Sequence, residues 1–150
     1  MHYLIQLLMA YLGSLGFGIL YNHRGKKLVL ASLGGLLAWA VYLLVNRLTP
    51  SPYPCAFVAS AALTIYSELV ARIHKTPVTG MLGTAVIPLI PGAGLFRSVS
   101  AMMLKNAEQA TAQGTYTVLF AASMASGITV TTLIFRLIVN NVHNRHTRKA

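Results

Sequence analysis

The chain has 150 residues with 12 Lys or Arg and only 2 Asp or Glu, which gives a formal net charge of +10. Yet 55% of its residues are hydrophobic and only 9% are charged, whereas a soluble globular domain carries about 25% charged residues. A soluble fold is therefore excluded. The two acidic residues also exclude most chemistry that needs paired carboxylates, and the single cysteine excludes an internal disulfide and a multi-cysteine metal site. What remains is one integral membrane domain, residues 1–150.

Apolar runs near 20 residues long predict membrane helices, because the hydrocarbon core is about 30 Å thick and a helix rises about 1.5 Å per residue. The sequence predicts an all-α polytopic protein with five such spans and short polar connections. The first run lacks a positive region before it and a clear cleavage site after it, so we expect a retained helix and not a signal peptide. The predicted spans are 3–20, 28–45, 55–73, 78–104 and 115–139.

The basic residues divide unequally between the two sides that five spans create. The side with two of the loops and the C-terminal tail receives nine of the twelve, the other side receives Arg47 and Lys105, and Arg97 is left inside the fourth span. Such a bias predicts a cytoplasmic C-terminus and an outer N-terminus, in the inner (plasma) membrane of the cell. The nine are Arg24, Lys26, Lys27, Arg72, Lys75, Arg136, Arg145, Arg148 and Lys149.

The same basic residues also suit contact with anionic lipid head groups, and no nucleic-acid partner is needed to explain them. An alternative role for the basic tail, residues 143–149, is docking on a partner. The five histidines have no ligand-like spacing, so neither a metal site nor a cofactor is predicted.

The fourth span is interrupted near its middle by Pro88, Pro91, Gly92 and Gly94. Proline removes a backbone donor and clashes with the preceding turn, and glycine adds backbone freedom, so this stretch predicts an opened helix. Counted from the start of the span, the break lies about 15 to 24 Å deep, near the bilayer middle. Broken helices at that depth are where secondary transporters place their sites.

A half-helix that starts near Gly92 has free N–H groups and a positive dipole end, which suit a substrate carboxylate. Pro91 is expected at its first position, where a missing N–H costs nothing. Arg97 follows about one and a half turns later. Two interpretations stay open for it: pairing with a substrate carboxylate, or snorkelling to the outer interface. The candidate substrate-binding residues are Pro88, Pro91, Gly92, Gly94 and Arg97.

Glu68 is the only acidic residue inside a predicted span. It is either a carboxylate that couples transport to an ion or one half of a structural pair with Arg72, one turn further on. The small residues Gly13, Gly16, Gly18 and Gly34 predict close contacts between helices. No constellation of catalytic groups is present, so no enzyme is predicted.

Three segments of the chain resemble the small, five-span subunit of the threonine/serine exporter (ThrE) family. The most specific is IPLIPG at 87–92, followed by Phe96-Arg97. The others are GFGILYN at 16–22 with Arg24, and SELVAR at 67–72 with Lys75-Thr76-Pro77. The resemblance covers the chain nearly end to end.

The resemblance implies one half of a secondary transporter that is driven by an ion gradient. The family pairs two five-span units, so it implies a second, larger five-span subunit as partner, or self-association. Family members export threonine and serine, and some export small dicarboxylates. The competing hypothesis is an accessory membrane subunit that stabilises a partner carrying the whole path. The break favours the transporter, because a scaffold needs no unpaired backbone at the midplane.

Overall fold

The computed structural model describes the backbone of residues 2–147 and the side chains of residues 3–139. Arg148 and Lys149 of the basic tail lie outside the described residues, as does the side chain of Arg145. Every regular element in the described part is helical, which confirms the predicted all-α class. The helices are α1 (His2–Leu20), α2 (Lys26–Leu48), α3 (Pro52–Ile73), α4 (Val78–Ala85), a 3₁₀ turn (Ile87–Leu89), α5 (Gly92–Met103) and α6 (Ala107–Thr147).

Within the described residues, α1, α2, α3 and α6 are each long and apolar enough to cross a membrane. Helix α4 and the segment Ile87–Met103, which contains the 3₁₀ turn and α5, pass the same test when taken together, and they are bent by 43° relative to each other. The chain is therefore a multi-pass membrane protein with four such helices, or five if the bent pair is one span.

Three helices end in the same way, with a non-glycine residue in the left-handed conformation directly after the last turn. In each case the next N–H reaches back to a carbonyl of the helix, which satisfies a group that would otherwise be unpaired in the membrane. The left-handed residues are Asn22 after α1, Lys75 after α3 and Lys105 after α5, with φ of 57°, 48° and 56°. The closing bonds run from His23 to Gly18, from Thr76 to Ala71 and from Asn106 to Ala101.

The start of α6 differs most from the prediction, which placed a loop over residues 105–114. The helix begins at Ala107, because the Asn106 side chain accepts a hydrogen bond from the Gln109 N–H at 3.1 Å and caps the first turn. Glu108 in that turn complements the helix dipole. The polar residues of this segment therefore extend the helix beyond its apolar part.

Helix α3 packs on both α2 and α6, and the core beside the break is built from small and aliphatic side chains. Ala38, Ala59, Leu63, Ala85 and Leu89 form this core, and each is at most 1% exposed. The small side chains on α2 and α3 allow these helices to approach closely. The core holds the broken span from one side and leaves its other side free to face a cavity.

One end of the bundle carries the loops 21–25 and 74–77 with their basic residues, and we call it the basic end. His23 Nε2 lies 3.2 Å from the Gly80 carbonyl oxygen, which ties the first of these loops to the beginning of α4. The loops 49–51 and 104–106 lie at the opposite end. The orientation of the two ends in the membrane remains the prediction made from the positive-inside bias.

A candidate substrate cavity at the broken span

The break forms where two prolines lie three residues apart. Because proline has no N–H, Pro88 cannot donate to the Thr84 carbonyl, and Pro91 cannot donate to the Ile87 carbonyl. The chain adopts a 3₁₀ turn instead, in which the Ile90 N–H reaches the Ile87 oxygen at 3.2 Å. The α-helix resumes at Gly92 in a new direction.

Protein covers the break on the side of α1 and α2. A Cβ on Gly35 would lie 3.3 Å from Pro88 Cγ, and it would collide with Ser14 of α1. Leu89 is buried in the core described above. Irregular backbone at membrane depth is tolerated when it is buried in protein or lines a cavity, and this side of the break meets the first condition.

The other side of the break faces a cavity of about 220 Å³. All five residues that the sequence predicts as substrate-binding line it: Pro88, Pro91, Gly92, Gly94 and Arg97. The wall is completed by residues of α2 and α6, which are Trp39, Tyr42, Gln113, Tyr116 and Phe120. Three separated segments of the chain therefore meet around one space.

The beginning of α5 differs from the expectation in two details. Pro91 precedes the first helical residue and does not occupy it, because its ψ of 54° is not helical. The Gly92 N–H is already engaged, since it donates to the Ile90 oxygen at 2.8 Å. The regular bonds of α5 start with Leu95 donating to Pro91 at 3.1 Å. The N–H groups of Ala93 and Gly94 are therefore the ones left for an anion.

The two glycines of this turn have different surroundings. A Cβ on Gly92 would meet nothing within 4 Å, so this position is open to the cavity. A Cβ on Gly94 would lie 2.5 Å from Thr117 Oγ1 of α6. Gly94 is buried and lets α5 pack directly on α6, so its small size serves helix packing as well as the shape of the cavity.

Arg97 lines the cavity with an exposed side chain. Among the described residues, its guanidinium has no ion pair, no side-chain hydrogen bond and no aromatic ring beneath it. The side-chain amide of Gln113 and the hydroxyls of Tyr42 and Tyr116 also have no hydrogen-bond partner in the described part of the chain. Polar groups inside a membrane protein usually have partners, so the cavity presents several that are available to a ligand or to water.

The aromatic residues of the wall form a continuous series between α2 and α6. Trp39 stacks on Tyr42 with ring centroids 5.1 Å apart, and Tyr42 contacts Phe120 at 6.1 Å. Phe120 in turn contacts Tyr116 at 6.0 Å. Stacked and tilted ring pairs of this kind add to the stability of the contact between α2 and α6. The Trp39 indole N–H also donates to Gln6 of α1 at 3.4 Å.

The structure places Glu68 and Arg72 away from this cavity, in the last turns of α3 toward the basic end. Arg72 Nη2 donates to Glu68 Oε2 at 3.2 Å. The carboxylate side chain is only 8% exposed and the guanidinium side chain is 46% exposed. Arg72 also lies over the Phe135 ring of α6, 5.8 Å from its centroid.

The residues that sequence reasoning missed are those of the far wall. Trp39 and Tyr42 have the residue types that often anchor helices at the membrane interface, but they line the cavity. Tyr116 and Phe120 are spaced four apart, which places them on one face of α6. That spacing is the only local signal, and it does not say which helix the face meets.

A family model described as "Threonine/Serine exporter, ThrE" matches residues 6–134 of the chain. The searches with this chain found no match among curated proteins or solved structures. The match runs from residue 6 in α1 to residue 134 in α6, so it includes the broken span and every wall of the cavity. The chain therefore belongs to the threonine/serine exporter family, a family of membrane transporters and not of enzymes.

Proposed function

We propose that the chain is a subunit of a secondary transporter that exports small carboxylate-bearing metabolites, with the cavity at the broken span as part of the substrate path. The substrates are threonine- or serine-type amino acids, or small dicarboxylates. The observation that carries the proposal is the meeting of the break, the unpaired Arg97 and the wall from α2 and α6 around one cavity.

The chemistry of the cavity supports an anionic group at the start of α5. The Ala93 and Gly94 N–H groups point along the positive end of the helix dipole, and Arg97 adds a full positive charge to the same cavity. Carboxylate bonds to charged donors are about twice as strong as bonds between neutral groups. One carboxylate bound between these groups would be held by both.

The partner of this proposed transporter is a second, larger five-span subunit, or a second copy of the chain. Membrane transporters of this type usually place the substrate between two related units, and five spans cannot form two equal halves. The proposed location is the inner (plasma) membrane, with the basic end in the cytoplasm. Mass measurement of the intact complex after a native pull-down tests for the second five-span protein.

Export from vesicles tests the function. Vesicles that contain the chain and its partner are loaded with labelled threonine, serine or succinate, and an ion gradient is imposed. Gly92→Leu fills the open position in the cavity, and Arg97→Ala removes the cation. We expect each to lower export at least 10-fold with assembly unchanged. Gly92→Leu takes up the space of the substrate, and Arg97→Ala removes a charged bond, which contributes more than the about 1.4 kcal/mol of a tenfold effect.

Two matched controls separate the cavity from general effects of the substitutions. Gly13→Leu adds the same side chain at a glycine of α1 that has nothing within 4 Å and faces outward. Arg47→Ala removes an arginine that lies over Tyr3 and not in this cavity. Normal export in Gly92→Leu and Arg97→Ala, with normal assembly, would favour the accessory-subunit hypothesis and overturn the proposal.

A further inference from the structure

The wall that faces the start of α5 is aromatic, and the protein itself does not use its rings to hold a cation. Trp39, Tyr42, Tyr116 and Phe120 all line the cavity. The cation–π contacts of the described residues lie elsewhere, between Arg47 and Tyr3 and between Arg72 and Phe135. Arg97 shares the cavity with the rings but does not lie over one of them.

Among the described residues, no carboxylate lines this cavity to pair with a positively charged group. It has only two acidic residues in total. Glu68 is paired with Arg72 near the basic end, and Glu108 is exposed in the first turn of α6. Neither residue lines the cavity. A substrate cation must therefore be stabilised here by ring faces and neutral oxygens.

The cavity also offers few binding partners to a second carboxylate of a ligand. Arg97 is the only cationic residue that lines it in the described part of the chain, and the free N–H groups are at the start of one helix. Both favour a single anionic group at one end of the ligand. A dicarboxylate would place its second charge against the aromatic wall, where the negative ring faces repel it.

We propose that the Trp39 and Tyr42 rings of the aromatic wall bind the ammonium group of a zwitterionic amino acid whose carboxylate is held by the α5 start and Arg97. This proposal rests on the proposed function and adds the residues that decide between amino acids and dicarboxylates. Ring faces attract ammonium groups most strongly when the site is shielded from water, and tryptophan is the strongest of the rings. The Trp39–Gln6 bond is a positioning contact for that indole.

The first test compares threonine with 2,3-dihydroxybutyrate, in which a hydroxyl replaces the ammonium group. Transport of both is measured in vesicles with wild type, Trp39→Leu and Tyr42→Leu, and the matched variants Trp39→Phe and Tyr42→Phe keep a ring at each position. We expect wild type to prefer threonine by roughly 10- to 30-fold, the Leu variants to lose that preference and the Phe variants to keep most of it.

The ratio of the two rates is the readout, because a loss of folded protein lowers both rates and leaves the ratio unchanged. An unchanged ratio in both Leu variants overturns this proposal and leaves the proposed function standing. A preference of the wild type for succinate over threonine also overturns this proposal and leaves the proposed function standing. Wild type that moves none of the three compounds overturns the proposed function, and this proposal falls with it.

A second measurement uses Trp39 itself as the probe, because it is the only tryptophan of the chain. Its fluorescence is titrated with threonine and with 2,3-dihydroxybutyrate in the purified complex, and the Trp39→Phe complex serves as the blank. We expect threonine to change the Trp39 emission at concentrations at least tenfold lower than the analogue. Equal responses to the two compounds, or a threonine response of zero in protein that transports threonine, contradict the proposal.

Discussion

Gly94 of α5 lies so close to Thr117 of α6 that a Cβ on the glycine would be 2.5 Å from the threonine Oγ1. This contact joins the second half of the broken span to the helix that carries Tyr116 and Phe120. The distance between the α5 start and the aromatic wall is therefore set by a glycine. The glycine two residues earlier, Gly92, has open space instead.

Substitution by alanine should change the free energy of unfolding differently at these two glycines. Gly94→Ala should lower the free energy of unfolding by about 1 to 3 kcal/mol, because overpacking of a close helix contact forces the helices apart. Gly92→Ala should change it by less than about 0.5 kcal/mol, as at a site without contacts. Thermal unfolding in detergent measures both, and equal losses would contradict this description of the turn.

The packing of α1 and α2 around the break predicts a pair of coupled substitutions. Gly35→Ala should destabilise the protein, because its methyl group would collide with Ser14 and approach Pro88. Ser14→Gly in the same chain should restore part of the loss, since it removes the side chain that is hit. A double-mutant cycle on unfolding measures the coupling, which we expect at about 0.5 to 3 kcal/mol. Purely additive effects would mean that these helices do not meet here.

Ser14 alone should be dispensable for stability. Its hydroxyl is buried and has no hydrogen-bond partner among the residues that the structure describes, so Ser14→Ala removes a polar group that was desolvated without compensation. We expect the unfolding temperature to stay the same or to rise. A clear fall would indicate that the hydroxyl has a partner in the membrane, and Ser14→Cys, which keeps a weak donor, would then be closer to wild type.

Replacing Arg72 should lower the free energy of unfolding more than replacing its partner Glu68. Arg72→Ala leaves a carboxylate that is nine-tenths buried without its partner, which costs about 1 to 3 kcal/mol. Glu68→Gln removes that charge and leaves an arginine that is nearly half exposed, so the loss should be below about 1 kcal/mol. Unfolding in detergent measures both, and the reverse order would contradict the burial of the carboxylate.

The Glu68→Gln variant also separates the two roles that the sequence leaves open for Glu68. A structural pair predicts that export falls only as far as stability does, so Glu68→Gln retains most activity. A coupling carboxylate predicts that Glu68→Gln stays folded but exports at the same rate with and without the ion gradient. Export in vesicles with the gradient present and collapsed decides between them.

Much of this fold follows from the sequence because hydrophobic length and proline placement act locally. The apolar runs predict the membrane helices, and Pro88 and Pro91 predict the break, because a missing N–H breaks a helix whatever surrounds it. The predicted start of the last helix is eight residues too late, since the segment 107–114 contains polar residues and resembles a loop. Asn106 is a good N-cap, and that signal was available.

The aromatic wall could not be predicted in the same way. Trp39 and Tyr42 belong to α2 and meet Phe120 of α6 only after both helices have packed on α3. The glycines show the same limit. Gly18 and Gly34 are in close contact as expected, whereas Gly13 and Gly16 have nothing within 4 Å, because residue size does not say which neighbour arrives.

A substrate that occupies the cavity at the start of α5 should protect a cysteine placed there from chemical modification. The single native cysteine, Cys55, is buried, so Gly92→Cys adds an accessible thiol to a chain whose own cysteine is shielded from the reagent. Glu108→Cys in the exposed, polar first turn of α6 is the control, because a water-soluble reagent reaches it. We predict that threonine slows the reaction of Gly92→Cys with a water-soluble maleimide and does not change the reaction of Glu108→Cys. We also predict that the labelled Gly92→Cys protein no longer exports. A Gly92→Cys labelling rate that saturating threonine does not change, or full export after complete labelling, would show that threonine does not occupy this cavity.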